Sequence, residues 1–227
     1  MRKRWILSPV IMAVLAGAAL HAQNMPYTIG IGCQTLIPQT PVDWRDYFNG
    51  NIGLDFHLVL LLTDRSSIAF DFVFQKIRLD QKAFLDDQPR QLGSRPVSAE
   101  GMILIDQIGI RVLRYLTDPE KRMSLYGCIG GGYYRIRPGI GVTMGRQIVI
   151  PGQPVVKDTV SLGLEQNKPS LSAGFGVEFG IGYTVLLYGE GLYHFVFTND
   201  RNHLITGKPM NEKTTFITPM VGIRYRF

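Results

Sequence analysis

Leu171-Ser172-Ala173-Gly174-Phe175-Gly176-Val177-Glu178-Phe179-Gly180-Ile181-Gly182-Tyr183 alternates without a break. Leu171, Ala173, Phe175, Val177, Phe179, Ile181 and Tyr183 share one parity, and serine, glycine and the single acid Glu178 share the other. Successive side chains of a strand point to opposite faces, so the stretch reads as a strand with one wholly apolar face. Its length exceeds the roughly 9–11 residues that a tilted strand needs to cross a bilayer.

The end of the chain repeats the design: Ile217, Val221, Ile223, Tyr225 and Phe227 face one way, Thr218, Gly222, Arg224 and Arg226 the other. Earlier, Tyr27, Ile29 and Ile31 alternate with Thr28, Gly30 and Gly32. Ile52, Leu54, Phe56, Leu58 and Leu60 alternate with Gly53, Asp55 and His57, and Ile68, Phe70, Phe72 and Phe74 with Ala69, Asp71 and Gln75. Ile108, Ile110 and Val112 alternate with Gln107, Gly109 and Arg111. Met123 to Arg137 is rich in glycine and tyrosine and its facing is ambiguous, while Tyr188, Glu190 and His194 share a parity. Eight strands are predicted, at 27–37, 51–62, 66–78, 102–116, 122–137, 169–183, 185–198 and 213–227.

The connections alternate in length. Residues 38–50, 79–101, 138–168 and 199–212 are long, and those at 63–65, 117–121 and 184 are short. Long loops on one side and tight turns on the other are the pattern of an outer-membrane barrel with both termini periplasmic. In lipid every backbone polar group needs an internal partner, which a sheet provides only by closing. The predicted fold is therefore all-β, an eight-stranded antiparallel transmembrane β-barrel. Gly141 to Ile150 and Val155 to Leu164 flank Pro151-Gly152-Gln153-Pro154, a hairpin signal. Ten strands is the alternative, disfavoured because Asp158 or Arg146 would then face lipid. These arms are expected to extend beyond the membrane, where they offer an edge for strand addition.

Composition narrows the class. With 45% hydrophobic residues in 227, the chain is not disordered. No apolar run after the first residues reaches the ~18 of a spanning helix, which excludes a polytopic helical protein. Arg2, Lys3 and Arg4, then a mostly apolar run from Trp5 to Leu20 and small residues up to Ala22, read as a secretory signal peptide over 1–22, leaving 23–227 as the barrel domain. Removing it lowers the net charge from +6 by three, so the basic balance is no nucleic-acid footprint. Cys33 and Cys128 fall on strands at opposite walls and are expected to be free.

The ending Ile223-Arg224-Tyr225-Arg226-Phe227 resembles the C-terminal signature of outer-membrane barrels, with Ile223, Tyr225 and Phe227 as its apolar positions. Tyr126-Gly127 with Gly130-Gly131-Gly132-Tyr133, and Gln107 to Leu116 closing on Thr117-Asp118-Pro119, resemble the small PorT/OmpX-type outer-membrane barrel family. The resemblance spans the whole mature chain. It implies an integral outer-membrane protein whose partners are outer-membrane lipid, the barrel-assembly machinery during insertion and other outer-membrane proteins. The implied role is a structural or interaction subunit of a larger assembly serving secretion, nutrient uptake or barrel insertion. A small pore or ligand carrier, and an adhesin acting through the long loops, are the alternatives. Pro219 departs from an ideal last strand because it cannot donate to the ladder.

An eight-stranded barrel has room inside only for side chains. Counted from the turn-side strand ends, Asp71, Arg111, Glu178, Glu190 and Arg224 fall at similar depth. Buried charges must pair, so these five are predicted to form a structural lumenal network. His57, beside Asp55, and His194, which shares parity with Glu190, are expected to hydrogen-bond to carboxylates. No GxSxG, HExxH, CxxC or P-loop pattern occurs, so neither enzyme, metal site nor cofactor is predicted. Trp44, Tyr47 and Phe48 in loop 38–50 are expected at the lipid interface.

Overall fold

A computed structural model describes residues 26–40, 42–49, 52–87, 94–119, 121–146, 158–162, 165–197 and 214–227. The predicted signal peptide and the turn at 151–154 lie outside the described residues. The chain runs β1 (Tyr27–Thr35), β2 (Ile37–Thr40), α1 (Val42–Tyr47), β3 (Phe48–Asn49), β4 (Ile52–Thr63), β5 (Ser66–Leu79), α2 (Gln81–Asp87), β6 (Ser94–Tyr115), β7 (Met123–Arg146), β8 (Asp158–Leu162), β9 (Gln166–Gly180), β10 (Val185–Val196) and β11 (Thr214–Arg226).

Eight strands close into an antiparallel barrel in the order β1, β4, β5, β6, β7, β9, β10, β11, with β11 returning to β1. Perpendicular pairing from Thr28 passes through Val59, Ala69, Arg111, Gly130, Ser172, His194 and Phe216 and arrives at Pro38, ten residues further along. Ten rises of about 3.3 Å against eight spacings of about 4.8 Å set the strand tilt near 40° and the wall radius near 8 Å. That interior is filled by side chains.

β8 is not a further wall strand. The last β7–β9 pair is Ile136 with Gln166, and from Ile140 onward the same edge of β7 pairs with β8. The ten-strand alternative fails because β8 takes over an edge that β9 has left. β6 and β7, of 22 and 24 residues, extend well beyond the expected 102–116 and 122–137 at the loop end. Residues 94–101 and 138–146 fall in the expected loops 79–101 and 138–168, but the ladder runs on to Ser94 opposite Arg146, with a bulge between Pro96 and Ser98. Tilted by roughly 40°, such strands rise about 55 Å, roughly twice a bilayer core.

Pro219 marks the seam. The β1–β11 ladder ends at Gln34 opposite Met220 and resumes between Ile37 and Ile217 through β2. The interruption falls where proline has no N–H to give. At the opposite end β9 stops at Gly180, short of the expected 183, and the four-residue turn 181–184 into β10 contains Gly182 at φ +93°, a conformation glycine adopts without a Cβ clash.

The two faces are chemically distinct. Ile31, Leu54, Phe74, Ile110, Ile129, Phe175 and Val221 stand exposed on the outer wall. Towards the loop end the outward positions become Lys76, Arg78, Asp106, Arg135 and Arg137, with Arg137 to Asp106 at 2.5 Å and Arg135 to Glu165 at 2.7 Å. β7, ambiguous in sequence, turns Tyr126, Cys128, Tyr134 and Ile136 inward. Cys33 is exposed, Cys128 is buried, and both are free thiols.

The loop half of the lumen is mainly apolar, with one buried amide pair, Gln34 donating to Gln75 at 3.1 Å. Leu36, Ile77, Ile103, Ile105, Tyr134, Ile136, Val196 and Phe216 form one buried cluster, topped by Tyr47 of α1 and Phe84 of α2, which meet edge-on at 5.6 Å. Asp80 caps α2 by accepting a 3.0 Å hydrogen bond from the Ala83 N–H. Tyr47 thus lies inside the plug rather than at the expected lipid interface, because α1 folds over the mouth. The side chains of Trp44 and Phe48 lie outside the described residues.

Candidate functional site

The turn half of the lumen carries ions. Arg111 on β6 grips Asp71 on β5 with two parallel bonds, Nε to Oδ2 at 2.6 Å and Nη2 to Oδ1 at 2.7 Å. Its Nη1 reaches across to Glu190 on β10 at 2.5 Å. Arg224 on β11 gives Nη2 to the other Glu190 oxygen at 2.5 Å and Nη1 to Glu178 on β9. All five predicted residues therefore touch in one connected network, with Glu190 joining its two guanidiniums. Arg224 is 0% exposed and Arg111 3%. Forked, charge-assisted pairing is what makes ions tolerable at such burial.

Cys128 Sγ accepts from Arg111 Nη1 at 3.7 Å, and five further groups join the network. Tyr126 donates to Glu190 at 2.5 Å, and Tyr115 to Glu178 at 3.2 Å. His57 Nε2 accepts from Arg224 Nε at 2.6 Å, which leaves Nδ1 to donate to Asp55 at 2.7 Å. Tyr188 donates to Asp55 at 3.3 Å, and its ring centre lies 4.2 Å from the Arg224 guanidinium carbon. Tyr126 lies on the strand whose facing is ambiguous in sequence; Tyr188 shares the parity of Glu190 and Tyr115 that of Arg111, but parity alone does not say which carboxylate a phenol reaches. Asp55 and His57 were on the lumenal parity, and that signal sufficed to link them to each other but not to Arg224.

His194 differs from expectation. It is buried, yet neither ring nitrogen has a hydrogen-bond partner among the described residues, and its neighbour is the Tyr134 ring, edge-on at 5.8 Å. It sits above the network, near the apolar plug, so no carboxylate among the described residues reaches it.

The lumenal glycines make space for these side chains. A Cβ on Gly176 would collide with the Tyr126 ring, one on Gly30 with the His57 imidazole, and one on Gly32 with the Tyr188 hydroxyl. Alternating glycine is thus the sequence trace of large polar residues arriving from neighbouring strands.

Ile223, Tyr225 and Phe227 point outward at the end of the chain. Phe227 stacks on Tyr27 at 4.8 Å and its N–H is bonded to the Tyr27 carbonyl, so residue 227 pins the start of β1.

No protein-family model matches the chain, and no curated protein matches it in sequence. Solved structures do. The outer membrane protein OprG from Pseudomonas aeruginosa superposes with a TM-score of 0.53 at 12% identity, covering 89% of this chain and 96% of its own. A major outer membrane protein from Thermus thermophilus gives 0.51 at 11% identity, covering 88% and 99%. These two likenesses establish a shared fold with outer-membrane barrels.

Proposed function

We propose that this chain is an exported, integral outer-membrane protein of the small PorT/OmpX-like kind, with both termini periplasmic, acting as a non-enzymatic structural or interaction subunit. It serves as an accessory to a larger outer-membrane assembly. The observation that carries this reading is the filled lumen: an ion network at the turn end and an apolar plug under α1 and α2 at the loop end. A barrel packed in this way works through its outer wall and its projecting strands. The extended β6–β7–β8 sheet offers a partner backbone groups beyond the wall.

Location is supported by the outer surface. Apolar side chains give way to ion pairs towards the loop end, while Tyr27, Tyr183, Tyr225 and Phe227 cluster at the turn end, as in an aromatic girdle. Ile223, Tyr225 and Phe227, all outward at the end of the last strand, are available to the insertion machinery.

The test is purification of the tagged chain from its native membrane in mild detergent. A stoichiometric companion protein is expected. A lone monomer, together with stepwise conductance in planar bilayers, would replace this reading with that of a pore.

A further inference from the structure

The turn end of the lumen opens into a cavity of about 140 Å³, walled by Val59, Leu61 and Leu186, with Ser67 and Glu178 on its floor and Arg226 at its rim. Ser67 Oγ is buried beside the Tyr115 hydroxyl and makes no close hydrogen bond among the described residues. Glu178 Oε2 takes a 3.2 Å bond from Tyr115, which leaves room for a second donor. The floor therefore has accepting capacity facing open space.

Charge favours a particular donor. Four network carboxylates, Asp55, Asp71, Glu178 and Glu190, face two guanidiniums, Arg111 and Arg224. His57 adds no formal charge, since its Nε2 accepts from Arg224. Arg226 at the rim, held by the Pro119 carbonyl at 3.3 Å, offsets one of the two surplus negative charges. The loop end is closed by the apolar plug, so a compensating cation enters from the turn end. Excess negative charge behind low-dielectric walls attracts such a cation far more strongly than the same charge in water.

We propose that this cavity is a binding site for an alkylammonium group. The ammonium donates to Glu178 and Ser67, and its methylene stem lies against Val59, Leu61 and Leu186. The cavity equals roughly five waters in volume, which suits a chain of about four carbons and one nitrogen. The source is a free amine or the lysine side chain of a polypeptide at the turn end; the chemistry of recognition is the same.

The test titrates the full barrel, refolded in detergent, with n-butylammonium, n-butanol, butyrate and a short lysine-bearing peptide at constant ionic strength, followed by calorimetry. Butylammonium should bind at least tenfold tighter than butanol, as expected of a charge-assisted bond to a buried acceptor, and butyrate should not bind. Binding of the peptide identifies a polypeptide source; binding of the free amine alone identifies a small molecule. Ser67→Ala should weaken butylammonium at least threefold and Glu178→Gln at least tenfold. Because Glu178→Gln also perturbs the network, Leu186→Phe serves as the independent variant: it fills the cavity, keeps the unboiled gel mobility of the folded barrel and abolishes binding. Equal affinity for butanol, no binding of butylammonium at all, or undiminished binding by a folded Leu186→Phe barrel would overturn the proposal.

Discussion

Replacing Arg224 by methionine tests whether the lumenal ions hold the barrel together. Arg224 is fully enclosed and reaches Glu178, Glu190, His57 and Tyr126 at once. Without it Glu190 keeps Arg111 and Tyr126, but Glu178 keeps only the Tyr115 phenol among these partners. The cost is therefore mainly one stranded buried carboxylate, about 3–5 kcal/mol. At about 1.4 kcal/mol per decade, that is roughly two to three and a half orders of magnitude in the folding equilibrium. The assay is urea unfolding of barrels refolded into lipid vesicles, read by the mobility of unboiled samples on gels. Glu178→Gln in the same chain removes the stranded charge, so the double variant should recover about 1–3 kcal/mol relative to the sum of the singles. A loss below about 1 kcal/mol for Arg224→Met, or strictly additive singles, would refute a cooperative network and leave the ions as filler.

Other substitutions separate the network from its surroundings. Arg111→Met, which strands Asp71, should destabilise the fold by a similar ~3–5 kcal/mol without creating or abolishing conductance, measured by the same unfolding assay and by planar bilayers. Tyr126→Phe removes a 2.5 Å bond to Glu190 and should cost about 1.5–3 kcal/mol, whereas Tyr193→Phe on the outer wall should be nearly neutral. Gly176→Val places a side chain where the Tyr126 ring already lies and should cost at least about 1–3 kcal/mol as overpacking, read by the same unfolding midpoint. Ile129→Arg puts a charge on the exposed outer wall and should cost about 2–4 kcal/mol in vesicles but little in a polar detergent; equal losses in both would argue against lipid on that face.

The fold was legible because period-two alternation is a local signal. A strand such as β9 shows both its faces within itself, and the alternation of long and short connections orders the walls without any knowledge of pairing. Strand ends were less legible. Residues 94–101 and 138–146 were expected in loops, yet β6 and β7 continue through them because each supplies the other with backbone partners well past the ring. The small helices were missed for the converse reason: α1 and α2 span 6 and 7 residues. Helices that short owe their existence to Tyr47 and Phe84 packing on the plug, not to propensity.

The candidate site shows where parity stops being informative. Parity placed Asp71, Arg111, Glu178, Glu190 and Arg224 inward, and counting from strand ends set them at one depth. Which of them bond depends on register, and around this barrel the register climbs ten residues per circuit. Asp71 and Arg111 stand on the neighbouring strands β5 and β6 and pair there, while Glu178 and Arg224 pair across β9 and β11, which makes two clusters. Glu190 is the residue at a depth both guanidiniums reach, which makes it the hub. His194 shares strand and parity with Glu190, but its four positions along β10 lift it roughly 10 Å at this tilt, up to the plug. Two inward residues on one strand thus inhabit different chemistry: one carboxylate saturated by two arginines and a phenol, and one imidazole without a hydrogen bond among the described residues. Glycine spacing is the sequence feature that anticipates this, because an inward glycine such as these marks the depth at which a neighbour's large side chain crosses. Gly176 reports Tyr126, and Gly30 reports His57. A lumen whose walls are cut back to hydrogen atoms at those depths can seat Arg224, Tyr126, Tyr188 and His57 at once. Widening any one of those glycines should therefore unseat the ions before it disturbs the closed ladder around them.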